Sequence, residues 1–131
     1  MEHYTTIEQS KKLLELGLDI ESADALYIIG KEPVSLEVIY GEFCTIKDLR
    51  ENYAYRRAMP CWSVGALLDL MPFPILYMQM IGGGIFWGCK VQFPFDEQEP
   101  HIIDGQNSQI DACYNMIVWL CENDLLGNKK E

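Results

Sequence analysis

The side chains in this sequence that could carry chemistry are its thiols and imidazoles. Five cysteines are present, Cys44, Cys61, Cys89, Cys113 and Cys121, and two histidines, His3 and His101. Cys61 is the sharpest candidate nucleophile. It follows Pro60 at the predicted start of a helix, where unpaired backbone N–H groups and the helix dipole would lower a thiol pKa. It has no base in its own stretch, since His3 sits near the first residue and His101 in an acidic stretch far along the chain. The competing reading is a small buried hydrophobe, the ordinary role of a free cysteine. No pair is spaced as CxxC, and an odd count closes no full set of disulfides.

A metal site would draw on His101 and Asp104, at i and i+3, with Asp96, Glu97 and Glu99 close by. The set has neither zinc-site nor EF-hand spacing, and a solvated acidic loop accounts for it more simply. Gly82-Gly83-Gly84 lacks both the lysine of a P-loop and the strand–GxGxxG–helix setting of a dinucleotide site. It reads as a hairpin turn. Trp62, Trp87 and Trp119 each fit an amphipathic element, and packing explains them without a ligand. No cofactor is expected.

The elements that must position these residues can be read in chain order. Thr6-Ile7-Glu8-Gln9 is a capping box, which predicts a helix from Thr6 to about Leu16 with Gly17 ending it. Asp19 to Asp24 reads as a turn or one helical turn. Ala25–Ile29 and Ser35–Tyr40 are short strand-like runs around Gly30-Lys31-Glu32-Pro33, so a hairpin over 25–40 is open. Thr45-Ile46-Lys47-Asp48 starts a short helix over 46–53. The stretch 60–72 is the predicted central helix, with Val64, Leu67, Leu68 and Met71 on one face and Pro72 stopping it. Pro60 in the first turn or Ser63 as N-cap would begin it.

A second hairpin is predicted over 75–93. Ile75–Ile81 is nearly all apolar, and Ile85, Trp87, Cys89, Val91 and Phe93 alternate with period two beyond the glycines. Residues 94–108 carry Asp96, Glu97, Glu99, Pro100, Asp104, Gly105 and Asn107 and are expected to form a surface loop. The last helix starts at Asp111 or Ser108. Ile110, Cys113, Tyr114, Ile117, Val118, Cys121 and Leu125 form its apolar stripe, and Gly127-Asn128 stops it. The expected architecture is α+β: one domain over 1–131, with three main helices packed on a small antiparallel sheet.

Charge narrows the function classes. The formal net charge is −10, with 49% apolar residues. The acids concentrate at the two ends, and residues 61–90 hold only Asp69 and Lys90. That field repels nucleic-acid phosphates and anionic membranes. Helices followed by a hairpin share the order of a winged-helix domain, but the helix before this hairpin offers only Ser63 and Asp69 as polar side chains. DNA reading by that helix is excluded. Met1-Glu2-His3-Tyr4-Thr5 has neither the basic start nor the apolar run of a signal peptide, and no apolar run reaches the ~20 residues of a membrane span. With unpaired thiols, this makes the cytoplasm the expected compartment.

Three stretches together resemble a known family: Tyr4-Thr5-Thr6-Ile7-Glu8-Gln9-Ser10 through Leu16-Gly17-Leu18-Asp19 and Ala23-Asp24; Cys61-Trp62-Ser63-Val64-Gly65-Ala66-Leu67-Leu68-Asp69-Leu70-Met71-Pro72; and Asp111-Ala112-Cys113 with Met116-Ile117-Val118-Trp119-Leu120-Cys121-Glu122-Asn123. The resemblance is to small uncharacterised proteins of Bacteroides-type gut bacteria and their phages or other mobile elements. It covers about half the chain and implies a cytoplasmic accessory protein, with no activity and no catalytic residues. The expected function is a small interaction protein acting by protein–protein contact. Its partner would meet the aromatic and basic side chains Tyr53, Tyr55, Arg56 and Arg57, or a hairpin edge through which a homodimer could also form. The alternatives are a small enzyme using Cys61 or a metal site near His101, and an acidic nucleic-acid mimic.

Overall fold

Thr6 opens the first helix. In the computed structural model, which describes residues 3–28, 35–38, 58–94 and 98–126, its hydroxyl accepts from the Gln9 N–H and the Gln9 side chain accepts from the Thr6 N–H, both at 3.0 Å. Helix α1, Ile7–Glu15, ends in a Schellman turn. Gly17 takes φ +93°, a left-handed conformation that costs glycine little. The Gly17 and Leu18 N–H groups return to the carbonyls of Leu14 and Leu13. Asp19 then caps a single 3₁₀ turn, Ile20–Ser22.

The strands form two antiparallel sheets where the sequence suggested one. Strands β1, Ala25–Ile28, and β2, Ser35–Val38, pair as the open hairpin required. On the other side of β1 lies β3, Ala58–Cys61, giving the order β2-β1-β3. Pro60 therefore belongs to an edge strand, where a missing N–H costs no ladder bond. It does not open a helix. The helix begins at the other predicted point: Ser63 accepts from the Ala66 N–H at 3.1 Å and starts α2, Val64–Asp69. Leu67 and Met71 of that stretch are buried.

The second sheet contains the predicted hairpin. Strands β4, Ile75–Ile81, and β5, Gly84–Val91, pair from Ile75↔Lys90 to Ile81↔Gly84. Gly82 and Gly83 both take positive φ, as a two-residue turn between right-twisted strands demands. The expected loop over 94–108 is corrected in its second half. Residues 101–106 form strand β6, His101–Gln106, paired with β5 in the order β4-β5-β6. Its turn-type residues Asp104 and Gly105 sit where the register shifts against Trp87 and Cys89, with Gly105 at φ +70°. They mark a bulge inside a strand, and the strand continues through it.

Ser108 caps the last helix, α3, Gln109–Glu122, by accepting from the Asp111 N–H at 3.1 Å. The helix ends at Asn123, before the predicted stop. It lies on β5 and β6 with its fringe against β4. The α2 helix packs on α3, and α1 packs on β3. The main core joins Leu13, Trp62, Leu67, Met71, Cys89, Val91, Phe93 and the inward face of α3. A smaller cluster of Ala25, Tyr27 and Cys61 lies under the first sheet with Tyr4, Ile7 and Met59 against it. Among the described residues, no helix is long and apolar enough to cross a membrane.

Candidate functional site

Cys61 is fully buried in β3, so the helix N-terminus that would have activated it is absent. Burial and the neighbouring Asp24 carboxylate push its thiol up to about 12. At neutral pH it stays protonated, and a protonated, water-excluded thiol is a poor nucleophile. Cys89, Cys113 and Cys121 are buried too. Cys89 and Cys113 face each other between β5 and α3, and the Cys89 sulfur lies 3.5 Å from that of Met71. Cys44 lies outside the described residues.

His101 and Asp104 share β6 but not a site. His101 stacks flat on Trp119 of α3, with ring centroids 3.6 Å apart and planes 4° apart, and burial lowers its pKa. Asp104 is exposed and accepts from the Tyr77 hydroxyl, which reaches it over Gly88 of the intervening strand. Among the described residues, no group of three or more His, Cys, Asp or Glu side chains could hold a metal ion. Asp96, Glu97 and the aromatic and basic set Tyr53, Tyr55, Arg56 and Arg57 lie outside the described residues.

The polar groups that do converge are engaged in holding the fold around Trp62. The Trp62 N–H donates to the Thr5 hydroxyl at 3.1 Å, and the Thr5 N–H donates to the Trp62 carbonyl at 2.9 Å. The same Thr5 hydroxyl is 2.8 Å from that of Ser10, and the Tyr27 hydroxyl donates to the Thr5 carbonyl at 2.8 Å. The indole N–H of Trp62 donates to Ser22 at 2.9 Å. Asp24 accepts from both the backbone N–H and the hydroxyl of Ser63. A shallow cleft of about 520 Å³ runs beside this seam, lined by Ser22, Asp24, Ser63, Gly65 and Asp69. Its Ser22, Asp24 and Ser63 groups are engaged in the hydrogen bonds of the seam, Ser63 also as the cap of α2.

The second sheet has the opposite character. Among the described residues, Phe73, Ile75, Met78, Met80, Ile81, Ile85 and Ile102 are the exposed large apolar side chains, all on this sheet or its approach. Side chains alternate between sheet faces, and residues directly opposite share a face. The inward column therefore runs Leu76–Cys89–Ile103, then Met78–Trp87, then Met80–Ile85. The helix α3 covers the near end of that column and not the far end, where Met78 is 53%, Ile85 58% and Met80 75% exposed. The outward face carries Ile75, Tyr77, Phe86, Ile81 and Ile102.

Two details shape this surface. A Cβ at Gly88 would sit 2.4 Å from the Tyr77 ring, so glycine is needed there for Tyr77 to cross to Asp104. Gln79 also reaches over, accepting from the Gly105 N–H at 3.0 Å. Among the described residues β4 pairs only with β5 and is an edge of the second sheet. No charged residue occurs between Leu70 and Cys89. Natural edges are normally protected by lysine, proline or a bulge, and β4 has none of these.

The sequence reading named the hairpin edge but not Met78, Met80 and Ile85. Their signal was present: both faces of the hairpin read apolar, which a sheet with one wet face does not require. No protein-family model, no curated protein and no solved structure matches the chain.

Proposed function

We propose that the chain is a small interaction module of accessory type, working by protein–protein contact through the β4–β5 hairpin and not by catalysis. The observation that carries the reading is the gathering of large apolar side chains at the far end of the second sheet, next to an uncharged strand that pairs on one side only among the described residues. Contiguous exposed apolar surface is costly to keep in water and characteristically marks a binding face. An edge strand adds backbone hydrogen bonds to whatever lies beside it. The cytoplasm, where unpaired thiols stay reduced, is the compartment this reading implies. The sequence resemblance to small uncharacterised proteins of Bacteroides-type gut bacteria and their phages or other mobile elements implies an accessory role, in keeping with this reading, and brings no activity of its own.

The test is capture under native conditions from the cells that make the protein, comparing the natural chain with the double variant Met80→Lys/Ile85→Lys. Both positions are more than half exposed, so the variant keeps its fold, which a thermal melt checks. A protein retained by the natural chain and lost from the variant is the expected result. Equal retention by both, or turnover of a substrate that the variant leaves unchanged, sinks the reading.

A further inference from the structure

We propose that the occupant of the β4 edge is a second copy of this chain, paired β4 to β4 in antiparallel fashion about a two-fold axis at Met78. The inference rests on the hairpin being the working surface and adds the identity of what covers it.

The register argues for self-pairing. An antiparallel pair places residues of one face opposite residues of the same face, and a slip of one residue would set apolar columns against the wrong side. An axis at Met78 is the centre that lets all of Ile75–Ile81 pair. Ile75 then faces Ile81, Leu76 faces Met80, Tyr77 faces Gln79, and Met78 faces its own copy. The inward face of the new contact is apolar across its width, and the outward face is apolar apart from Gln79 and the Tyr77 hydroxyl, each already bonded to β6. The result is one six-stranded sheet with both α3 helices on the same side. Because α3 sits over β5 and β6, the two helices flank a trough floored by Met78, Met80 and Ile85 from both copies.

Charge and placement favour the same occupant. Each copy carries −10, so two copies approach with least repulsion along the stretch 70–89, which carries no charge of its own and has the cation Lys90, opposite Ile75, and the anion Asp104, bonded to Tyr77, beside it. A basic partner would be drawn to the acidic ends of the chain and gain nothing from an uncharged edge. Four of the exposed apolar side chains, Ile75, Met78, Met80 and Ile81, lie on β4 itself and so sit at the contact. The residual repulsion is long-range and weakens as the Debye length shrinks, so the dimer tightens as salt is added. An acidic mimic bound to a basic partner would respond in the opposite direction.

The test is sedimentation equilibrium on the full chain alone, over a range of micromolar concentrations and at low and high salt. The expected mass rises with concentration from 15.1 kDa to twice that value, earlier at high salt. Met78→Lys and Met78→Glu, each folded by thermal melt, are each expected to stay monomeric, because the axis sets like charges against each other. Mixing the two is expected to restore the dimer, which a general loss of stability could not do. A natural chain that stays monomeric throughout overturns the inference, as does a dimer that either single variant leaves intact or that the mixture fails to restore. A monomer that still loses its captured protein on Met80→Lys/Ile85→Lys removes the self-pairing alone and leaves the hairpin as the working surface.

Discussion

The seam around Trp62 and the edge of β4 solve opposite problems with the same backbone. At the seam, residues from α1, the 3₁₀ turn, β1 and β3 meet in the interior. The hydroxyls of Thr5 and Ser10 there are fully buried and hydrogen-bonded to each other. At the edge, uncharged apolar side chains meet water along a strand that, among the described residues, pairs on one side only. No buried side-chain N or O lacks a partner among the described residues. The molecule thus spends its side-chain hydrogen bonds on joining its parts and leaves its apolar surplus for something outside. Buried polar groups that are fully satisfied specify one arrangement, whereas an apolar edge specifies only that it be covered.

That contrast can be broken first at Trp62. Trp62→Ala empties the largest buried side chain among the described residues and removes the indole N–H that Ser22 accepts, and is expected to cost about 3–5 kcal/mol in denaturant unfolding. A loss below 1 kcal/mol would mean that the core does not depend on the seam. Thr5→Val keeps the shape and removes the hydroxyl, leaving the buried Trp62 N–H and Ser10 without their partner. The expected cost is about 1–3 kcal/mol, and a neutral result would show that the seam's polar groups are dispensable.

On the sheet, Gly88→Ala forces Tyr77 off its crossing to Asp104, with an expected cost of roughly 1–2 kcal/mol. Made in a Tyr77→Ala background it is expected to cost little, since the ring it collides with is gone. Equal costs in both backgrounds would rule out that collision.

The smallest effect at neutral pH separates the regions by titration. Burial holds the Cys61 thiol at about 12 against an ordinary 9.0. Burial and Asp104 hold the Tyr77 phenol at about 12 against 10.0. Both groups are acids with raised folded pKa values. Their stabilising contribution is complete below the ordinary value and is lost as pH climbs toward the folded one. Melting temperature is therefore expected to fall from about pH 9 upward. Cys61→Ala should flatten the slope from its onset, and Tyr77→Phe only above about pH 10. Identical profiles for the two variants would show that alkali does not act on the two regions separately.

Much of the scaffold was legible because its signals are local. The Thr6–Gln9 capping box, the Ser63 cap before an apolar i, i+3, i+4 set and the glycine turn between alternating strands each act within a few residues. Strand β6 was hidden because Asp104 and Gly105, typical of turns, serve in a bulge. Strand β3 was hidden because Pro60 suits a helix start and a strand edge alike, and only pairing with β1 decides between them. The activation of Cys61 was misread for the same reason. The Trp62 seam joins residues distant in sequence, which no periodicity reports. At the hairpin, alternation assigned the faces but could not say how far α3 would reach, and that reach determines which methionines face water.

The backbone pairing of Thr5 with Trp62 also sets a kinetic condition. It closes a loop containing α1, the 3₁₀ turn and strands β1 and β2, and the chain must lose that loop's freedom before the pairing returns any free energy. During synthesis α1 is made long before Trp62. The side of the helix that carries Leu13 waits without its aromatic neighbour until β3 has left the ribosome. The first helix written in the sequence thus waits for a strand made much later, and until that strand emerges its apolar side is open to chaperones and proteases.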